Sequence, residues 1–285
     1  LCGDDRDLVA SLHQQAHELH RLVGGDATRD SDDDVHPLIL PHGQGRAHSH
    51  RLEHVCTVVI DVNQPTRLLA VRDEDPQRAW DDLGEWWPEQ YPGVIGIRDR
   101  RAGGAWLAVD PEARRLAVLL NRADVLDLPE DQVRSRGSLA LESVAGRSPE
   151  APLPMHGFNL LEVGPEAARV LSWDGEELRE TPVPSGVHMI AHDDLDDPET
   201  ARIATWLPAF RAAAGTDHAS ATELSRWIDV LAESADLDKD DDRAIIRDNH
   251  VHGYPTMSLL YVAAEVSENS AEARSHVLDR PAHWD

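Results

Sequence analysis

Lysine is almost missing from this chain of 285 residues: Lys239 is the single one, and arginine supplies the rest of the 27 basic residues. Against 53 acidic residues this leaves a formal net charge of −26. Nucleic-acid binders draw most of their affinity from Lys and Arg contacts to phosphate, so that class is excluded, and an anionic membrane surface is disfavoured for the same reason. Cysteine is scarce too. Cys2 and Cys56 cannot build a disulfide framework or a cysteine-rich zinc site. No run approaches the ~18 consecutive apolar residues of a membrane-spanning helix, so no membrane insertion is expected. The start Leu1-Cys2-Gly3-Asp4 lacks the charged-then-apolar pattern of a signal peptide. The resulting expectation is a cytoplasmic protein that handles a small-molecule ligand or substrate.

Aromatic residues are absent from positions 1–55 and abundant after them. Those 55 residues hold eight of the 16 histidines, the acidic run Asp32–Asp34 and a net charge of −5, which leaves −21 for the remainder. With few bulky apolar side chains there is little buried area to offset chain entropy. The segment is read as disordered, with a short helix over Leu8–Leu22. The alternative is an upstream extension outside the natural protein. Val55 directly precedes Cys56, and GUG, a valine codon, also serves as a start codon. Translation from Val55, or cleavage of a propeptide before Cys56, leaves Cys56 at or beside the amino terminus. His13, His17 and His20 share one helical face, but no carboxylate completes a zinc motif, and no metal site is expected.

From Cys56 onward the pattern is organised, and residues 56–285 are read as one domain. Thr57–Val62 and Arg67–Val71 are β-type runs separated by the turn signal Asn63-Gln64-Pro65. Ala105–Val109 pairs with Arg115–Leu120, and Phe158–Val163 pairs with Ala168–Trp173, which ends in the hairpin signal Asp174-Gly175. Two helices follow. Ile203, Trp206, Leu207 and Phe210 mark the first, with a kink expected at Pro208. Leu224, Trp227, Ile228 and Leu231 mark the second, behind the capping box Ser220…Glu223. Thr256–Val262 is a last strand, and Asp236–Asp242 a solvated loop. Strands, then helices, then a strand make an α+β fold.

Several residues carry possible chemistry. A thiol beside a free α-amine has its own general base, the N-terminal nucleophile arrangement. Cys56 at the head of the first strand fits it, or fits a buried strand cysteine. Arg72-Asp73-Glu74-Asp75 follows the second strand and offers a guanidinium and a carboxylate to such a thiol, or is a polar hairpin end. Gly103-Gly104 before Trp106 allows close backbone approach at a pocket rim, or an ordinary turn. Asn121, ending a strand, can donate to an oxyanion or cap a turn. Trp86, Trp87 and Trp106 offer an apolar pocket lining. Binding of a strongly anionic substrate requires Arg72, Arg78 and Arg98 to gather. His250 and His252 alternate along an extended run and read as polar strand-edge residues.

With these residues in view, positions 56–262 resemble the NRDE family, which includes the transport and Golgi organisation protein 2 relatives. The family opens Met-Cys followed by a hydrophobic strand, as Val55-Cys56-Thr57-Val58-Val59-Ile60 does. Its A-N-R-D-E-F-x-x-R-P is similar to Ala70-Val71-Arg72-Asp73-Glu74-Asp75-Pro76-Gln77-Arg78-Ala79, with Val71 in place of Asn and Asp75 in place of the aromatic. Its G-R-D-x-x-A-G-G-T-W-L-G-V is matched by Arg98-Asp99, Ala102-Gly103-Gly104, Trp106-Leu107 and Val109. Further blocks are Leu119-Leu120-Asn121, Ser135-Arg136-Gly137, Gly157-Phe158-Asn159-Leu160-Leu161 and Ser185-Gly186-Val187-His188. Two blocks depart: Ala191-His192 stands where Ser-Asn is usual, and His252–Ser258 lacks the Arg of Y-G-T-R-S-S-T.

The family in turn resembles N-terminal-nucleophile hydrolases. The resemblance implies a four-layer αββα sandwich of two antiparallel sheets flanked by helices. It implies Cys56 as nucleophile, Arg72 as thiolate partner, Asp73 as orienter of the α-amine and Asn121 as an oxyanion donor, acting on a small amide without a cofactor. Arg98, Gly103, Gly104, Trp106 and His188 fall in the other blocks as ligand-binding candidates. The alternative implied by family relatives is a non-catalytic carrier of haem or of a lipid or acyl-CoA, with His188 as a conceivable haem ligand.

Overall fold

The computed structural model describes residues 56–214 and 220–284. The expectations for residues 1–55, including the His13, His17 and His20 face and the short helix, lie outside them.

Among the described residues twelve strands form two antiparallel sheets. Numbered in chain order they are β1 (Thr57–Asp61), β2 (Thr66–Glu74), β3 (Trp80–Gly84), β4 (Ile95–Asp99), β5 (Ala105–Asp110), β6 (Arg115–Asn121), β7 (Phe158–Val163), β8 (Ala168–Trp173), β9 (Leu178–Val183), β10 (Val187–Ile190), β11 (Met257–Val266) and β12 (Ala271–Val277). The first sheet runs β10-β1-β2-β11-β12, and the second runs β3 to β9 in sequence order. The helices are α1 (Leu139–Val144), α2 (Ala201–Ala214) and α3 (Ser220–Ser234).

Period-two alternation places the layers. Val58, Ile60, Leu68 and Ala70 of the first sheet meet Leu107, Val109, Leu116 and Val118 of the second in one buried cluster. The intervening side chains Val59, Leu69 and Val71 face the other way and pack with Ile203, Leu207 and Phe210 of α2 and Trp227 and Leu231 of α3. On the outer face of the second sheet, Ala108, Ala117 and Leu160 pack with Leu139, Leu141 and Val144 of α1. Helices, sheet, sheet and helix therefore stack in that order, and the α+β expectation holds. Arg67 and Glu223 tie α3 to β2 as a fully buried ion pair at 2.5 Å, so the acid read as half of a capping box also reaches the sheet.

The strand pairs read from the sequence are present, with differences that matter. β2 does not stop at Val71. It continues through Arg72, Asp73 and Glu74, because β11 pairs with it as far as Glu74, beyond the point where its pairing with β1 ends at Val71. The Arg-Asp-Glu motif is therefore buried strand, not a polar hairpin end. α2 continues through Pro208 to Ala214. His250–His252 is a 3-10 turn rather than extended chain, started by Asp248 accepting from the His250 amide at 2.9 Å and closed by left-handed Gly253. β3, β4, β9, β10 and β12 had no clear pattern in the sequence. β9 is an edge strand, the place where a sheet tolerates Pro182.

Candidate active site

β1 and β2 build the centre of the site. Cys56 continues the inward-facing series Val58 and Ile60, and is buried between the sheets. On β2 the same alternation sends Arg72 inward and Asp73 toward the helices. The Arg72 guanidinium lies between two indole rings, with Cζ 5.7 Å from the centre of Trp80 and 5.8 Å from that of Trp106. Its Nη2 donates to Glu74 at 3.3 Å. Its Nη1 is buried without a partner, and so is Nε1 of Trp106. Two neighbouring N–H donors left unpaired in a buried place invite an oxygen acceptor, because each costs free energy until it has one.

Cys56, Arg72, Asp73, Trp106 and Asn121 border one cavity of about 410 Å³. Asn121 comes from the end of β6, as its strand-end position indicates. The facing wall is the segment Arg134, Ser135, Arg136 and Gly137, with His156 and Glu130 at its edge. Arg136 donates to the Gly157 carbonyl, and His156 is held by Asp124 at 3.1 Å. Arg78 also borders the cavity, bonded to Asp99 through Nε at 2.7 Å.

The glycine pair supports that wall. Ala105 donates its amide to the Gly137 carbonyl at 2.8 Å. A β-carbon on Gly104 would lie 2.0 Å from that same oxygen. The Gly103-Gly104 and Ser135-Arg136-Gly137 blocks, 30 residues apart in sequence, are thus one backbone-to-backbone contact. Gly103 adopts the left-handed φ of +73° and accepts from Trp87 Nε1 at 2.8 Å.

The thiol and the carboxylate are both shifted by burial. Cys56 Sγ donates weakly to the main-chain oxygen of Asp73 at 3.7 Å. Desolvation first, and the Asp73 charge second, push the thiol up to about 12. Asp73 accepts from the Ser258 hydroxyl at 2.6 Å. Burial raises its carboxyl to about 6 despite the opposing pull of Arg202, Ser258 and Arg247. Its Oδ2 makes no hydrogen bond of normal geometry, although the Asn249 amide, which donates to Thr256 at 3.0 Å, lies close enough to help hold the carboxyl down.

The other expected residues lie elsewhere. Arg98 turns to Asp81, donating through Nε at 2.6 Å, and stacks on Trp86 at 4.8 Å, so Arg72, Arg78 and Arg98 do not gather. Arg134 and Arg136 border the cavity, and Arg98 does not. His188 sits on β10 with Nδ1 against Asp196 at 2.7 Å and does not border the cavity. The three tryptophans do not share a pocket: Trp106 faces between the sheets, Trp87 packs in the outer cluster with α1, and Trp86 bonds to the Asp82 carbonyl. The sequence reading missed Arg134, His156, Arg202, Arg247 and Asn249. The one signal for Arg247 was its position closing the apolar run Ala244-Ile245-Ile246.

Asn159, from the Gly157–Leu161 block, is fully buried and occupied. Its amide donates to the carbonyls of Ala191 and Asp193, and its oxygen accepts from Ser172 at 2.7 Å. Among the described residues Asn121 is the one side-chain amide on the cavity wall. Among the described residues no group of three or more His, Cys, Asp or Glu is placed to hold a metal, and no helix is long and apolar enough to cross a membrane.

Comparison with curated proteins finds no significant match. The family model for Transport and Golgi organisation 2 matches residues 56–265. That span begins at Cys56 and takes in both sheets as far as β11, so the chain belongs to the Transport and Golgi organisation 2 family, the NRDE proteins.

Proposed function

We propose that this protein is an N-terminal-cysteine amidohydrolase of the N-terminal-nucleophile type, acting on a small amide once Cys56 carries a free α-amine. The observation that carries the reading is the convergence of Cys56, Arg72 and Asn121 on one cavity with two unpaired buried donors, Arg72 Nη1 and Trp106 Nε1. With Cys56 inside a peptide, a thiol pushed to about 12 is almost wholly protonated at neutral pH and is no nucleophile. A free α-amine, with an ordinary pKa near ~7.7–8.0, supplies the missing base. The buried Asp73 carboxylate, with Oδ2 unfilled, suits an ammonium group as its partner.

The steps are then these. The α-amine takes the Cys56 proton, and the thiolate attacks the amide carbonyl. The oxyanion accepts from Asn121 and the unpaired donors. The C–N bond breaks as the ammonium returns its proton to the leaving amine, and water hydrolyses the thioester.

The test exposes Cys56 as the first residue by tag cleavage and follows small amides by mass spectrometry. Acyl adducts on Cys56, and loss of turnover in Cys56→Ala, are expected. Turnover unchanged by Cys56→Ala, or no adduct with any amide, sinks the reading. A second reading, a carrier of haem or an acyl group on the same cavity, draws on two observations: Asn121 is the lone amide there among the described residues, and the thiol is buried. It predicts saturable ligand binding that Cys56→Ala leaves intact.

A further inference from the structure

A separate cavity of about 210 Å³ opens on the helix side of the first sheet, lined by His192, Thr200, Ala201, Arg202, Arg247 and His252 among others. We propose that it is a second binding site, for a small oxyanion such as a phosphate or carboxylate group. The proposal needs no nucleophile and stands apart from the Cys56 reading.

Two features converge there. Thr200, Ala201 and Arg202 are the entry and first turn of α2, a helix of 14 residues. The leading N–H groups of a helix have no acceptor within it, and the helix dipole adds partial positive charge at that end. Arg247 is 3 % exposed, and its Nε is buried without a partner. His192 turns its Nε2 to Asp193 at 3.0 Å and forms part of the wall without offering a donor. An anion entering here meets a fixed guanidinium fork and oriented amides, a combination that matches phosphate or carboxylate oxygens.

The acids facing the cavity are placed to permit this. Asp73, buried and bonded to Ser258, is near enough to feel the charges of Arg202 and Arg247 but does not line the cavity. Glu199 and Asp242 stand exposed at the mouth. Asp242 is 3.6 Å from Arg247 Nη2 and 3.7 Å from His252, with its side chain 72 % exposed. It is a weak, solvent-screened partner that an incoming oxyanion replaces. The volume equals the liquid share of roughly seven waters, enough for one oxyanion and a few waters.

The test is calorimetric titration of the full chain with inorganic phosphate and, separately, acetate, at constant ionic strength in chloride. Saturable single-site binding of phosphate is expected. Ala201→Glu puts a carboxylate into the cavity at a position where helices favour acids, and should weaken binding about tenfold or more. Asp242→Asn removes the exposed competitor and should tighten it. Arg247→Gln should abolish it, and the two surface variants keep the test valid if that buried change unfolds the protein. Acetate binding alongside phosphate assigns the site to oxyanions generally, and phosphate alone assigns it to phosphate groups. If neither anion saturates, or if Ala201→Glu and Asp242→Asn bind phosphate as the unaltered chain does, the proposal is overturned.

Discussion

The Cys56 thiol points at the main-chain oxygen of Asp73, 3.7 Å away; the acids that act on it, Asp73 and Glu74, raise its pKa, and the imidazole on its cavity, His156, is turned to Asp124. Its inertness is therefore conditional on the peptide bond before it. With Cys56 internal, a thiol near 12 is roughly three-thousandfold less ionised at neutral pH than an ordinary cysteine near ~8.5. Iodoacetamide labelling followed by peptide mapping should show Cys56 reacting at least that much more slowly than a free thiol. Its rate should climb about tenfold per pH unit past pH 9. A plateau near pH 8 in this form would show that the thiol is activated without a free α-amine.

Asp73 makes a prediction with a definite sign. Its folded-state carboxyl titrates near 6, above the ~3.9 of an unfolded chain, so the folded protein binds that proton more tightly. The stability this contributes is full below the unfolded value and is lost as pH rises to about 6. Comparing urea unfolding of the unaltered chain with Asp73→Asn cancels the other titrating groups. The difference should move in favour of the variant by up to roughly 3 kcal/mol between pH 4 and 7, then stay flat. A slope of the opposite sign would mean that Arg202 and Arg247 outweigh burial at this carboxylate.

What could be read from residues alone follows from how local each signal is. Strands flanked by turn residues, and the two helices with apolar spacing around Trp206 and Trp227, carry their own signatures and were legible. The short β10 and the charged β3 and β12 were not, because only pairing in the assembled sheets makes them strands. The same limit applied to the site. Cys56, Arg72, Asp73 and Asn121 sit in or at the ends of recognisable strands, and the structure brings them to one cavity. Arg134 and His156 lie in irregular chain, and Arg202 and Arg247 reach Asp73 from a helix start and a loop. Their roles depend on distances that no spacing encodes. Arg98 shows the converse: a residue in a motif that is occupied by Asp81, in part because that acid on β3 was invisible as strand.

The Gly104–Gly137 contact should be intolerant of any side chain. A β-carbon at Gly104 would meet the Gly137 oxygen at 2.0 Å and its carbonyl carbon at 2.2 Å, both backbone atoms that cannot swing away. Gly104→Ala should cost roughly 1–3 kcal/mol, the range for overpacking a tight interior. It should also displace Ser135, Arg136 and Gly137, the wall of the cavity facing Cys56. Thermal unfolding measures the first effect. Hydrogen exchange at residues 134–137 measures the second, and unchanged protection there would show that the two blocks are not coupled.

Trp106 allows the cavity's purpose to be separated from its stability. Its ring holds the Arg72 guanidinium, while its buried Nε1 holds nothing. Trp106→Phe keeps an aromatic face for Arg72 and deletes the unpaired donor. If that donor served folding, its loss would destabilise. An unsatisfied buried N–H instead carries a desolvation cost of ~1–3 kcal/mol that its removal relieves. The variant should therefore fold at least as stably as the unaltered chain, within the error of a small packing loss. With Cys56 exposed as the first residue, it should lose about tenfold or more in amide turnover, the effect of removing one donor to a developing oxyanion. A clear loss of stability with turnover unchanged would assign Trp106 to packing alone and leave Asn121 and Arg72 as the donors to examine.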